Sequence, residues 1–371
     1  MERKEEAMNI LCLSTDKWDG RWKRKQVIMK ELGDYKEVDS IWYVNPPRYK
    51  NFFFKKYKYN DKVTILELSR FLWFFPKVYY FVLIFLFKIF NRKMAQTKEN
   101  LVWLYGINAS EVYVTNKLKE KKWKIIYDWT DDWSHITPRV DSQETYDNIF
   151  KISDLIFTVS NDLFSKAKVK NKNVVKVPNG TYPIHELQLN DDKPFWANST
   201  KKVIGYVGQI TDRLDVEIVE NILKENDCIL VLIGPIMEQK IKTILEDLKT
   251  EHGEKLILTG LVNHNTAVSY TKYFDVCVIP HVVNELTLSM DPIKLYDYLA
   301  WGKPVITTKV GGVDLYSDII YIVEEKKEFC EVINKINELE NEELIQKRIK
   351  VTNENDWKKR VENIFTHINK L

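Results

Sequence analysis

The stretch from His281 to Gly312, HVVNELTLSMDPIKLYDYLAWGKPVITTKVGG, decides how the chain is read. Asp291 suits an N-cap and Pro292 the first helical turn, where a missing N–H costs nothing. The helix this predicts runs from Ile293 to Trp301 and stops at Gly302, which supplies a left-handed residue. Lys303-Pro304 forbids continuation, and Val305-Ile-Thr-Thr308 reads as a buried strand. Lys294, Asp297 and Tyr298 fall at i, i+3 and i+4, so they share one face near the helix's positive end. A helix N-terminus carrying a lysine, set between two strands, is how α/β proteins hold phosphate. An ordinary surface helix with a solvated lysine has the same pattern.

Working outward from this stretch, the same alternation recurs. Upstream come strands at Lys202–Val207, Ile229–Ile233, Leu256–Leu258 and Val276–Ile279, with helices ending at Leu223, Lys249 and Tyr273 between them. Downstream, Asn334–Lys350 reads as one charged helix and Trp357–Ile368 as an amphipathic one. Pro183–Lys201 lacks periodicity and reads as a linker. Before it lie strands at Asn9–Ser14, Asp39–Val44, Leu101–Tyr105, Lys124–Tyr127, the end of Lys151–Ser160, and Asn173–Val177. Two α/β domains in 371 residues is the simplest architecture.

Ligands of doubly wound sheets bind beyond the carboxyl ends of the strands. Two loops there carry chemistry. Thr15–Lys25, TDKWDGRWKRK, sets Trp18 and Trp22 among charges, a mixture that suits a sugar's apolar face and its hydroxyls. Its tryptophans would equally serve as packing. Asp128-Trp-Thr-Asp-Asp-Trp-Ser-His135 offers Asp128, Asp131, Asp132 and His135 for acid–base work, hydroxyl binding or metal ligation, and aspartates also cap helices.

With 44% apolar and 29% charged residues the composition is that of a globular protein. No GxGxxG or Walker A pattern occurs, which argues against dinucleotide dehydrogenases and P-loop NTPases. The four cysteines are far apart and show no zinc spacing; free thiols in a reducing cytosol are expected. The N-terminal apolar run is too short for a signal peptide. Residues 1–125 hold 26 Lys/Arg against 14 Asp/Glu, and the remainder 30 against 39. A basic first half points to an anionic partner. Within it, Phe71–Phe90, FLWFFPKVYYFVLIFLFKIF, has an unbroken apolar run of ten residues from Val78 to Phe87, where a membrane span needs about 20. It is either a buried helix or one lying on an anionic membrane surface, with residues 48–93 as the contact. Its aromatic residues sit in apolar runs rather than as separate stacking platforms, so nucleic acid is not an expected partner.

Several segments, in order, resemble the family 4-like glycosyltransferases of the GT-B fold, in particular a bacterial branch that builds surface polysaccharides such as teichuronic acid. The segments are Trp18–Gln26, Tyr127–Trp133, Ser153–Ser160, Val177-Pro-Asn-Gly180, Gly205–Arg213 and Asp291–Pro304. The resemblance implies two Rossmann-like doubly wound domains facing each other across a cleft. Residues 1–182 would bind the acceptor, 183–200 link, 201–350 bind a nucleotide-sugar, and 351–371 form a helix returning to the N-terminal domain. It implies a hexosyltransferase type of enzyme, retaining and needing no metal or other cofactor. The donor would be a UDP-sugar, with GDP- and dTDP-sugars as alternatives, and the acceptor a glycan or a lipid-linked glycan. By residue, it implies Arg213 and Lys294 on the diphosphate, with Asp131 and Asp132 where the family commonly has a histidine. The donor would also meet Gly208, Gln209, Gly234, Leu261, Val262, Thr287, Ser289, Pro292, Ile293 and Asp297. The acceptor would meet Trp18, Asp19, Arg21, Trp22, Arg24 and His135. Where the family has paired glutamates around a Gly-Phe-Gly loop, this chain has Ser289, Met290-Asp-Pro292 and Asp297. A cytoplasmic protein on the inner face of the cell membrane is the expected setting. A nucleotide-sugar epimerase or hydrolase, or a non-catalytic membrane-surface protein, are the alternatives.

Overall fold

The computed structural model describes residues 7–19, 22–47, 54–90, 99–132, 143–190 and 192–371. Arg21 and His135 lie outside them, as do parts of the basic segment 48–93. The chain forms two compact units: Met1–Val177 with Val361–Leu371, and Pro178–Arg360.

In the first unit, apolar runs of four to seven residues become strands because both their faces are covered. They are β1 (Met8–Leu13), β2 (Val38–Val44), β4 (Val63–Leu68), β5 (Glu99–Leu104), β6 (Lys124–Trp129), β7 (Leu155–Thr158) and a short β8 (Val174–Lys176). With β3 (Phe54–Lys58) the order is β3-β4-β2-β1-β5-β6-β7-β8, parallel except for β3. The order reverses between β1 and β5, so the loops after these two strands flank the switch point. Helices α1 (Arg24–Gly33), α2 (Arg70–Trp73), α3 (Pro76–Phe90), α4 (Ala109–Glu120), α5 (Gln143–Ile152) and α6 (Asn161–Lys170) alternate with the strands. Asn108 and Ser160 cap α4 and α6 with their side chains. The β3–β4 hairpin is absent from the sequence-based expectation. Its lysine-rich edge strand FKKYK carries little apolar signal, and Asn60 makes the turn by accepting the N–H groups of Lys62 and Val63.

The second unit has six parallel strands, β9 (Lys202–Val207), β10 (Cys228–Ile233), β11 (Leu256–Gly260), β12 (Val276–Ile279), β13 (Val305–Thr308) and β14 (Tyr321–Val323). Their order, β11-β10-β9-β12-β13-β14, puts the switch point between β9 and β12. Its helices are α7 (Val216–Glu225), α8 (Gln239–His252), α9 (His264–Thr271), α10 (Glu285–Ser289), α11 (Ile293–Ala300), α12 (Glu328–Leu339) and α13 (Glu342–Glu354). The expected single helix Asn334–Lys350 is in fact α12 and α13, because Asn341 breaks the run and caps the second with its side chain. The expected linker holds two 3₁₀ turns, and Trp196 in it is buried in this unit's core. Residues 178–182 fold with the second unit: Thr181 exchanges backbone hydrogen bonds with Asn355 and Trp357. A last helix, α14 (Trp357–Ile368), reaches the first unit, where the Phe365 and Tyr35 rings lie 4.1 Å apart.

Candidate active site

At the switch point of the second unit, β9 ends at Val207 and the chain turns through Gly208 at φ +141°. That conformation excludes a side chain, and space does too: a Cβ on Gly208 would stand 3.0 Å from Lys294 Cε and Nζ. Gly234, at φ +140°, abuts the Gly208 carbonyl so closely that a Cβ would overlap it. The two glycines let the loops after β9 and β10 pass against each other.

Lys294 enters this space from the first turn of α11. Its Nζ lies 3.7 Å over the Tyr206 ring centroid and 3.3 Å from His281 Nε2. Tyr206 in turn bonds the Gln209 carbonyl at 3.1 Å. Arg213, on the loop after β9, is held by Thr211 Oγ1 at 3.0 Å and reaches Met290 Sδ at 3.6 Å. Among the described residues no carboxylate pairs with Arg213 or Lys294. Burial, and then the Arg213 guanidinium, push the Lys294 amine well below its ordinary pKa. His281 is pushed down by burial, Lys294 and Arg213 in that order, and its Nδ1 has no hydrogen-bond partner.

Asp291 does not cap α11. Its carboxylate accepts the Asn179 N–H and the Tyr296 hydroxyl, the latter at 2.9 and 3.0 Å. Pro292 occupies the N-cap position, with no side-chain cap. The expectation is corrected for a physical reason: the Asn179 loop offers Asp291 partners, so α11 presents its amino end uncapped by its own aspartate.

Asp297 lies on the same helix, 8% exposed, and accepts the Thr181 hydroxyl at 2.6 Å; burial raises its pKa. Thr287 locks α10 through a capping box with Asn284, and Ser289 bonds the Leu286 carbonyl. Leu261 is exposed and Val262 half-buried just beyond β11. The structure thus groups Gly208, Gln209, Arg213, Pro292, Ile293 and Lys294 around the β9/β12 switch point. To these it adds Tyr206 and His281, which the reading of the sequence missed. Pro280-His281 directly after β12 was the available signal, by the strand-end rule.

The first unit treats its charges differently. Arg24 donates from Nε and Nη2 to Asp128 at 2.9–3.1 Å and from Nη1 to the Val177 carbonyl at 2.8 Å. Both members are buried, so Arg24 ties α1 to β6 and is closed to an acceptor, contrary to expectation. Asp132 is also buried, accepting from Tyr146 at 3.2 Å and Lys166 at 3.1 Å, while Asp131 accepts the Thr130 hydroxyl at 3.0 Å. The three aspartates therefore point to separate partners, and no group of three metal-ligating side chains occurs among the described residues. Trp18 is buried in a ring cluster with Tyr43 and Tyr59, each centroid 4.9 Å away, leaving half-buried Trp22 at its rim. Asp19 is exposed.

Residues 201–340 match the family model for glycosyl transferases group 1. That segment is a glycosyl transferases group 1 domain. Bacillus subtilis TuaH, named as a teichuronic acid biosynthesis glycosyltransferase, is 27% identical over 109 residues. The alignment covers 29% of this chain and 27% of TuaH, so the chain matches about a quarter of that relative. The fold is GT-B. The Escherichia coli trehalose-6-phosphate protein solved with UDP-2-fluoro glucose superposes with a TM-score of 0.71 at 12% identity, over 98% of this chain and 99% of that one. Anabaena HepE, solved in complex with UDP, gives 0.67 at 13% identity over 98% and 100%. The group 1 domain contains the whole Gly208–Arg213–Lys294 cluster.

Proposed function

We propose that this chain is a glycosyltransferase that moves a sugar from a nucleotide-sugar, a UDP-sugar first among the candidates, to a glycan or lipid-linked glycan acceptor in surface polysaccharide synthesis. One observation carries the reading: Arg213 and Lys294 are brought together at a helix N-terminus, and among the described residues no carboxylate pairs with either. Two cations without a counter-ion call for a multiply charged anion, and a diphosphate supplies it. As the sugar–phosphate bond breaks, charge grows on the leaving oxygen. The buried Lys294 amine, protonated once the anion is bound, and the half-buried Arg213 guanidinium are already in place to stabilise that charge. Metal is then unnecessary. The leaving phosphate oxygen can take the acceptor's proton, the scheme that goes with retention of configuration. Asp297 suits the ribose hydroxyls, and the backbone at Leu261 and Val262 the base.

Thermal melting with a panel of nucleoside diphosphates and their sugars tests the donor. A ligand at 100 times its Kd adds ~2.7 kcal/mol of stability, and both Arg213→Ala and Lys294→Ala should remove the shift. A panel that leaves the melting curve untouched would overturn the reading. Incubation without acceptor separates a transferase from an epimerase or hydrolase, since only the latter two convert the donor alone.

A further inference from the structure

Helix α3 is apolar on every side, and only one side is covered. Tyr79, Tyr80, Leu83, Leu86 and Phe87 face the core of the first unit. On the opposite side Val78, Phe81, Phe85 and Ile89 recur at helical spacing and stand 46–67% exposed. Short α2 and the turn after it extend this strip with Phe71 and Phe74, 69% and 64% exposed. An exposed row of aromatic side chains this long is uncommon on a protein that meets only water. Lys77 and Lys88 border the strip on α3 itself, both exposed and paired with no carboxylate among the described residues. No acidic residue occurs from Arg70 to Phe90. The neighbouring edge strand β3 adds exposed Lys55, Lys56 and Lys58, and its register sets Phe54 opposite Leu68, just before α2.

We propose that α2 and α3 form an in-plane docking surface for an anionic lipid membrane, with the phenylalanines at the headgroup–acyl boundary and the lysines on lipid phosphates. Charge complementarity selects this occupant. A second copy of the chain would bring the same lysines against one another, whereas an anionic leaflet meets the aromatic strip and its cationic border together. The mode is interfacial because no described helix is long and apolar enough to cross a membrane. A helix of 15 residues rises about 22 Å against about 30 Å of hydrocarbon. The surface gives a lipid-linked acceptor, as read above, a place to be met. It stands independently of that reading.

The test is co-sedimentation of the full chain with vesicles of phosphatidylcholine alone or mixed with phosphatidylglycerol. Binding should require the anionic lipid and weaken with salt. Phe81→Ser and Phe85→Ser should each lower partitioning about tenfold. Lys77→Gln with Lys88→Gln should reduce the dependence on phosphatidylglycerol. All four positions are exposed, so melting temperature and the nucleotide-sugar thermal shift should stay at wild-type values. That shift also separates failure here from failure of the transferase reading. The proposal falls if the wild type does not sediment with anionic vesicles, or if the phenylalanine variants bind as it does. It falls too if ultracentrifugation shows a dimer that Phe81→Ser converts to monomer, since a second copy would then own the face.

Discussion

Arg24 and Lys294 are both cations removed from water near the carboxyl edge of a parallel sheet, and the fold gives them opposite company. Arg24 meets Asp128 with two of its nitrogens and a backbone carbonyl with a third, and no charge is left over. Lys294 meets an aromatic face, a histidine that burial keeps neutral, and another cation. A buried charge supplied with its counter-ion is a fastening; its net contribution is small but removing one half is costly. A buried charge denied a counter-ion disfavours itself until an anion arrives. The first arrangement stores structure, and the second stores affinity.

The largest expected effect follows from breaking the satisfied pair. Asp128→Ala should destabilise by ~3–5 kcal/mol because it leaves a buried guanidinium alone. Combining Arg24→Met with Asp128→Leu should recover much of the loss. Urea denaturation measures both, and a wild-type midpoint for Asp128→Ala would mean that the pair does not fasten α1 to β6.

Next comes the unsatisfied site. Lys294→Ala or Arg213→Ala should lower turnover by ~10²–10³, about 2.7–4 kcal/mol on the barrier. Lys294→Met should do the same to turnover and yet raise the melting temperature of the ligand-free protein, because it removes a group that burial penalises. The sign can be followed with pH. The folded pKa of Lys294 lies below its unfolded value near 10.5, so the unfolded chain holds the extra proton in between. Stability from this group therefore rises with pH across that window, and Lys294→Met should remove the slope. A variant less stable than wild type at every pH would show that the amine already has its counter-ion.

The two satisfactions differ in how visible they are in the sequence. The strands β9, β12 and β13 and helix α11 follow from apolar period, Pro and Gly, which are local signals, and they came out within a residue or two. Lys294 was legible for the same reason, standing in the first turn of a helix that the sequence brackets clearly. Partner choice was not legible. Arg24–Asp128 spans 104 positions, and Asp291 reaches Asn179 across 112, so Arg24 passed for a ligand contact and Asp291 for a cap. His281 and Tyr206 are single residues at strand ends with no spacing to mark them. The edge hairpin β3–β4 failed on composition, since a lysine-rich strand looks like a charged loop. Asn341 was overlooked inside a charged run although its capping chemistry was available.

Glu111 is a third way of keeping a charge out of water, and it sharpens the contrast with the smallest effect. It sits in the first turn of α4, where the Asn108 cap and the helix end favour the carboxylate, and Lys25 favours it too. Burial outweighs these and raises its pKa to about 8, and Oε2 has no hydrogen-bond partner. Unlike Arg24 it has no matched ion, and unlike Lys294 it keeps its proton near neutrality and so carries little charge to satisfy. Its folded pKa lies above the unfolded 4.5, so the folded chain holds the extra proton. The stability this contributes is full below about pH 4.5 and is lost as pH rises through about 8, the slope opposite to that of Lys294. Glu111→Gln, which copies the neutral acid, should match the wild-type melting temperature near pH 4.5 and exceed it by a margin that grows up to about pH 8 and is constant above it. Melting curves from pH 5 to 9 would decide the matter. If the wild-type curve and the variant's ran parallel throughout, Glu111 would be ionised and paired with Lys25, and the first unit would then have satisfied this charge as it satisfies Arg24.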